Sequence, residues 1–132
     1  MTIKTIVPQS GKSAYTHFHF SQAVKAGGLL ICSGQIGTNK DHSLPERAED
    51  EFRNAWQSVG EILKEAGLGF EDIVEYTSYH VDLSKNIRAF MKVRDEILSE
   101  PWPAWTALGI SELAAPGARV EIRVIAQLPS AQ

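Results

Sequence analysis

Residues 51–83, EFRNAWQSVGEILKEAGLGFEDIVEYTSYHVDL, decide the fold because they change from one hydrophobic pattern to another. In the first half, apolar residues recur at the i, i+3, i+4 and i+7 spacing of a single helix face. These residues are Phe52, Ala55, Trp56, Val59, Ile62, Leu63 and Ala66. Gly67 follows the last of them and predicts the end of the helix. The second half, from Ile73 to about Asp82, predicts a strand.

Gly60 lies inside this helix, where glycine costs about 1 kcal/mol relative to alanine. We therefore expect it to allow close approach to the sheet. Acidic residues crowd the first turns of the helix, where negative charge suits the helix dipole. They are Glu46, Glu49, Asp50 and Glu51.

On the N-terminal side, TIKTIVP (residues 2–8) predicts a short strand, and THFHFSQAVKAGGLLICSGQIG (16–37) predicts a hairpin. Its first arm is read from a period-two alternation that starts at His17 and Phe18. Gly27 and Gly28 form the turn because glycine tolerates positive φ. The second arm, residues 29–33, is apolar enough to be buried on both faces.

On the C-terminal side, a second amphipathic helix is predicted from about Ile87 to Leu98. PAWTALGI (103–110) and ARVEIRVIAQL (118–128) predict two further strands. The order is β-β-β-α-β-α-β-β, an α+β two-layer arrangement with both helices on one face of a mixed sheet. Residues 1–132 are expected to form a single domain. Because the strands are apolar on both faces, we expect the chain to form oligomers.

Charge and composition exclude several classes of partner. The net charge is −3, the pI is about 5.8, and no two Lys or Arg residues are adjacent. Binding to nucleic acid relies on clustered Lys and Arg, so we predict no nucleic-acid partner. No apolar run approaches the roughly 18 residues that cross a membrane, and no signal-peptide core is present, so we predict no membrane partner and a soluble, cytoplasmic protein. The single cysteine, Cys32, lies in an apolar run, where packing is favoured over a reactive thiol.

The histidines raise the question of a metal. His17 and His19 would share one face of the predicted strand, but a site needs three or four ligands. His42 and His80 are distant in sequence, so no metal site is predicted. His80 has two interpretations, a hydrogen-bonded histidine within the sheet or a general base.

Three stretches together resemble one protein family. They are FSQAVKAGGLLICSGQIG (20–37), AWQSVGEILKEAGLGFEDIVEYTSYHVDL (55–83) and PAWTALGISELAAPGARVEIRVIA (103–126). In this order, and from about residue 18 to 127, the chain resembles the Rid family, also called the YjgF or RidA family. The P-x-WTA-x-G pattern of residues 103–109 and the TS-aromatic-H pattern of residues 77–80 resemble its YjgH-like branch, which lacks the substrate-binding Arg.

The resemblance implies a chorismate-mutase-like α+β subunit that assembles as a homotrimer around a central barrel. Small-molecule ligands would bind in the clefts between subunits. Members of the family are reactive intermediate deaminases, hydrolases that convert enamines and imines to 2-keto acids and ammonia. They need no metal and no organic cofactor.

The resemblance also assigns candidate site residues. The family's carboxylate-binding Arg directly follows PA, and here Trp105 takes its place. The cleft tyrosine falls on Phe20, the glycine that helps hold the carboxylate on Gly34, and the cleft asparagine on Arg94. A cysteine common in the family falls on Ala107, and the glutamate that orders the hydrolytic water falls on the catalytic candidate Glu121.

Three of these candidates also have a structural interpretation. Glu121 alternates with apolar neighbours and either polarises water, forms a salt bridge or occupies a solvated strand position. Trp105 is either core or the wall of a cleft that favours flat, aromatic or neutral ligands. Arg94 either restores the missing cation or is a surface helix charge paired with Glu51 or another acid.

Two functions follow. The first is an imine or enamine deaminase with an altered pocket, and the alternative is a non-catalytic ligand-binding or metabolic sensor trimer.

Overall fold

The structure is a computed structural model that describes residues 3–130, apart from the side chain of Ser10. Its strands and two main helices are β1 (Lys4–Ile6), β2 (Ala23–Ala26), β3 (Leu29–Cys32), α1 (Ala48–Glu65), β4 (Ile73–His80), α2 (Leu83–Ile97), β5 (Ala104–Gly109) and β6 (Val120–Gln127). The six strands form a single mixed sheet in the order β1-β2-β3-β6-β4-β5. Only β4 and β5 run parallel, and the other neighbours are antiparallel. The predicted α+β class and order of elements are confirmed.

The β2–β3 hairpin turns at Gly27 and Gly28, whose φ angles of 59° and 79° are the positive values that such a turn requires. Its first arm is shorter than predicted. Residues Ala14–Phe18 form a π-helical turn, and His19 has a left-handed φ of 61°. The expectation that His17 and His19 share one face of a strand is therefore wrong. Phe18 and its neighbours are exposed, so no buried face selects an extended conformation.

Helix α1 packs on the sheet through the predicted apolar face. Six of its seven predicted positions are buried, and Gly67, with a φ of 79°, ends the helix. The predicted role of Gly60 needs correction. A methyl group there would lie 2.8 Å from the ring of Phe70, so the close approach is to the turn after the helix and not to the sheet.

Helix α2 begins at Leu83, four residues before the predicted start. After Leu83, residues 84–86 of the first turn are polar and carry no hydrophobic period, which is why the periodicity missed this turn. Phe90 and Val93 bury the inner side of the helix against the same core as α1. Both helices thus cover one face of the sheet.

The other face of the sheet carries a half-buried apolar row across three strands. Val24, Ile31 and Ile125 are register neighbours on β2, β3 and β6. Within the single chain, Leu30 and Cys32 of β3 are buried but Ile31 is not, so the expectation that β3 is buried on both faces is wrong for an isolated subunit. Among residues 3–130, neither helix is apolar and long enough to cross a membrane.

Candidate functional site

The carboxylate of Glu121 lies directly beneath Gly34. Residue 121 alternates on β6 with Val120 and Ile122, which face the helices, and its own side chain is half-buried. Two backbone hydrogen bonds between Gln35 and Ile122, of 2.8 and 2.9 Å, hold the segment after β3 over this strand. The approach is so close that a methyl group at Gly34 would overlap Glu121 Oε2.

Burial raises the pKa of Glu121 above its ordinary value. The cause is desolvation, which disfavours the charged carboxylate. A raised pKa makes the carboxylate a better proton acceptor, which is the property that a general base needs.

Glu121 opens into a cleft of about 1060 Å³ between the start of the chain, the loop after β3 and the outer side of α1. Phe20 lines the cleft with a ring that is 44% exposed. Gln35 Nε2 donates to Gln22 Oε1 at 2.8 Å, and both side chains line the same space. The structure therefore brings Phe20, Gly34 and Glu121 together.

Trp105 does not line this cleft and lies on the helix-covered face of the sheet. Its ring stacks at 5.8 Å from Tyr76 and at 6.0 Å from Phe90, measured between ring centroids. Its indole Nε1–H donates to Ser78 Oγ at 2.9 Å. The ring is only partly buried, so Trp105 contributes to the core and also presents a surface.

Arg94 brings a cation to Trp105. Its Cζ lies 5.0 Å from the centre of the Trp105 ring, and its side chain is only 16% exposed. Arg94 Nε donates to Asp95 at 3.0 Å. The predicted pairing with an acid is therefore confirmed, but the acid is Asp95 and not Glu51, which bonds Arg119. A guanidinium thus lies next to the residue that replaces the family's Arg.

A buried polar pair lies behind Trp105. Ser78 and His80 are both fully buried, with His80 Nε2 2.7 Å from Ser78 Oγ. Burial lowers the pKa of His80 to about 4, so this imidazole is neutral at physiological pH. The arrangement favours a buried histidine within the sheet over a general base facing a ligand, although only Nε2 of its two ring nitrogens has a hydrogen-bond partner among residues 3–130.

Comparison with known proteins places these observations in a family. A family model described as Endoribonuclease L-PSP, which represents the YjgF/Rid proteins, matches residues 11–128. The chain belongs to the Rid family. It is similar to the RutC family protein YjgH of Escherichia coli K12, with 36% identity over 94% of each chain. The chain is also similar to a solved structure of protein YjgH, with a TM-score of 0.88 and 33% identity. That match covers 99% of this chain and 100% of the YjgH chain.

Other Rid relatives carry the name of an activity. A 2-iminobutanoate/2-iminopropanoate deaminase of Capra hircus is 32% identical over 81% of this chain and 78% of its own. The predictions of the Rid family and its YjgH-like branch are therefore confirmed.

Within the single chain, the predicted site residues form two separate groups. Phe20, Gly34 and Glu121 share the large cleft, whereas Arg94 and Trp105 form a cluster on the face that packs against α2. Ala107 lies two residues along β5 from Trp105 and is half-buried on the same face. The two groups would meet only if one subunit's cleft faced another subunit's cluster.

The sequence analysis quoted Ser78 only as part of the TS-aromatic-H pattern of residues 77–80 and did not name it as a site residue. The usable signal would have been its spacing of two from His80, which places both side chains on one face of β4. The parallel register that sets Ser78 beside Ala107, and so near Trp105, required the structure.

Proposed function

We propose that this chain hydrolyses reactive imines or enamines to a carbonyl compound and ammonia, in clefts between the subunits of a homotrimer. The observation that carries the proposal is the half-buried carboxylate of Glu121, held under Gly34 with a raised pKa in an open cleft. The named deaminase relatives within the Rid family support the same reaction.

The proposed reaction adds one water and releases one ammonia. Glu121 accepts a proton from water as its oxygen attacks the carbon of the protonated imine, forming a carbinolamine. Glu121 then returns a proton to the nitrogen, and the carbon–nitrogen bond breaks to release ammonia. The hydroxyl group loses its proton to Glu121 as the carbonyl group forms, and Glu121 passes this proton to the departing ammonia, which leaves as ammonium. An enamine would follow the same route once protonation of its carbon has converted it to the protonated imine. The missing side chain at Gly34 leaves room for the carboxylate of Glu121, which lies where a methyl group at residue 34 would be.

The altered part of the pocket is the anchor for the substrate. A charge-assisted pair with a carboxylate contributes about 1.5–3 kcal/mol, and Trp105 cannot form one. We infer that Arg94, stacked on Trp105, supplies this cation from α2. Its low exposure of 16% favours a strong interaction with an anion, because water screens it little.

Assembly would bring the two groups together. The apolar row of Val24, Ile31 and Ile125 is half-buried in the single subunit and would be covered in a trimer. In our proposal, Arg94 and Trp105 of one subunit then face Glu121 of the next.

The alternative is a non-catalytic trimer that binds a small ligand or senses a metabolite. The replacement of the family's Arg by Trp105 favours this second candidate, since an indole suits flat or neutral ligands better than carboxylates.

Hydrolysis of 2-iminopropanoate generated in situ separates the two functions. We expect a rate well above buffer for the wild-type protein, and a loss of about 10²–10⁴-fold for Glu121→Gln, the range for removing a general base. The matched control is Glu61→Gln, which alters an exposed acid of the same cleft. Saturable ligand binding without turnover in a folded trimer would instead support the sensor.

A further inference from the structure

We propose that Ser78 and His80 are positioning residues, which fix the indole of Trp105 and thereby hold the Arg94 guanidinium where it selects carboxylate ligands. This inference rests on the proposed function for its effect on turnover. The contacts that carry it do not depend on that function.

The direction of one of the two hydrogen bonds follows from chemistry. An indole N–H only donates, so Ser78 Oγ accepts from Trp105 Nε1 at 2.9 Å. His80 Nε2 lies 2.7 Å from the same Oγ, which has a second lone pair and one hydrogen. In our proposal this hydrogen is donated to His80 Nε2, so that His80 carries its own hydrogen on Nδ1 and the hydrogen bonds run from Trp105 through Ser78 to His80.

These two hydrogen bonds fix the indole ring of Trp105, on which Arg94 lies. The hydrogen bond to Ser78 sets the rotation of the indole, while Tyr76 and Phe90 limit its tilt by stacking at 5.8 and 6.0 Å. Arg94 Cζ lies 5.0 Å from the fixed ring, in the range of a cation–π interaction. A fixed indole ring limits the motion of Arg94 before an anion binds, and so reduces the conformational entropy that Arg94 loses on binding.

Packing alone is a poor explanation for the pair. Buried polar groups cost free energy unless every partner is present, and His80 Nδ1 has no hydrogen-bond partner among residues 3–130. Two apolar side chains of similar size would fill the same space without this cost. The pair is best explained by the orientation that it imposes on Trp105.

Ser78→Ala tests the role through the kinetics of an anionic and a neutral imine. With 2-iminopropanoate we expect KM to rise about three- to tenfold, the range for one lost hydrogen bond, with kcat within twofold. The neutral imine of acetone should show no change in KM. Ser78→Thr keeps the hydroxyl and should restore wild-type KM. Equal losses for both imines, or a lower Tm with unchanged kinetics, would overturn the proposal.

Two further measurements keep the inference independent of turnover. If the wild type is inactive, the proposed function fails, and titration with pyruvate as a carboxylate probe decides the positioning role. Ser78→Ala should then bind pyruvate about three- to tenfold more weakly, and equal affinity would reject the role. Nitrogen NMR of the wild type should show His80 protonated at Nδ1, and an Nε2–H signal would contradict the proposed direction of the hydrogen bonds whether or not Ser78→Ala folds.

Discussion

At the scale of single residues, Gly34 is important because it has no side chain. Its φ lies outside the left-handed region, so an alanine is tolerated by the backbone. Its side chain, however, would displace the carboxylate of Glu121, which is the far end of a side chain and can move. An alanine at this position should therefore impair turnover while leaving the free energy of unfolding nearly unchanged.

We expect Gly34→Ala to lower turnover of 2-iminopropanoate about 100-fold, since misplacing a catalytic group by 1 Å can have that effect. The free energy of unfolding should change by no more than about 1 kcal/mol. Steady-state kinetics and urea unfolding measure the two. Gly109→Ala is the matched control, because a methyl group there makes an ordinary contact 3.5 Å from Leu83. A large loss of stability with unchanged kinetics would contradict the prediction.

Glu121 should leave a signature in the pH dependence of stability. Its pKa is raised in the folded state, so the folded protein binds this proton more tightly than the unfolded chain. The resulting stabilisation is present below the ordinary pKa of glutamate and is lost as pH rises through the raised value. Glu121→Gln should therefore have a higher Tm than the wild type at pH 7, and the gap should close below about pH 4. An equal gap at both pH values would argue against a desolvated carboxylate.

Arg94 should control affinity more than the chemical step. Arg94→Ala removes the cation that would pair with the substrate carboxylate. It should raise KM for 2-iminopropanoate about 10- to 150-fold, with a smaller effect on kcat. Arg88→Ala, an exposed cation of the same helix, should leave KM unchanged. Identical kinetics of Arg94→Ala and wild type would show that the anchor lies elsewhere.

At the scale of elements, one buried ion pair joins the two loops that border the cleft. Glu51 at the start of α1 is fully buried and accepts from both the backbone N–H and Nη1 of Arg119, each at 2.6 Å. Arg119 also donates to the carbonyl groups of Pro45 and Glu46. The segment before α1 is thus fastened to the turn before β6.

Glu51→Ala removes the acceptor of the Arg119 backbone N–H and of its guanidinium, whose side chain is 31% exposed. We expect it to lower the free energy of unfolding by about 1.5–3 kcal/mol in urea titration, the range for a hydrogen bond to a charged group. Glu49→Ala, two residues away, removes only partly exposed pairs of 3.7–3.8 Å and should lower it by no more than about 1 kcal/mol. Similar decreases in the free energy of unfolding for both variants would mean that the Glu51–Arg119 pair stabilises the fold no more than the exposed pairs of Glu49 do.

At the scale of the whole molecule, the face of the sheet that the helices leave uncovered is the one that we propose to be buried in the trimer. We expect sedimentation at micromolar concentration to give three times the 14.5 kDa mass of the chain. Ile31→Glu places a charge in the middle of the apolar row and should yield monomers without activity. Met91→Glu puts the same charge on an exposed apolar side chain of α2 and should leave the trimer intact. A monomeric wild type would reject the intersubunit cleft.

Hydrophobic periodicity determined most of the fold. The strong 3.6-residue pattern of α1 and the alternation of β6 correctly predicted elements whose faces are buried. Where burial was absent the same reasoning failed, as in the exposed segment around Phe18. A local pattern predicts structure only when a buried face makes use of it.

The sequence by itself determined the Rid family and the order of elements, because these depend on residue type and spacing. It predicted the site residues only through the resemblance to that family. Only the tertiary structure decided which residues meet. It separated Glu121 and Gly34 from Trp105, and it placed Arg94 on the indole and Ser78 behind it. These contacts depend on strand register and on helix packing between residues far apart in the chain, which no local pattern encodes.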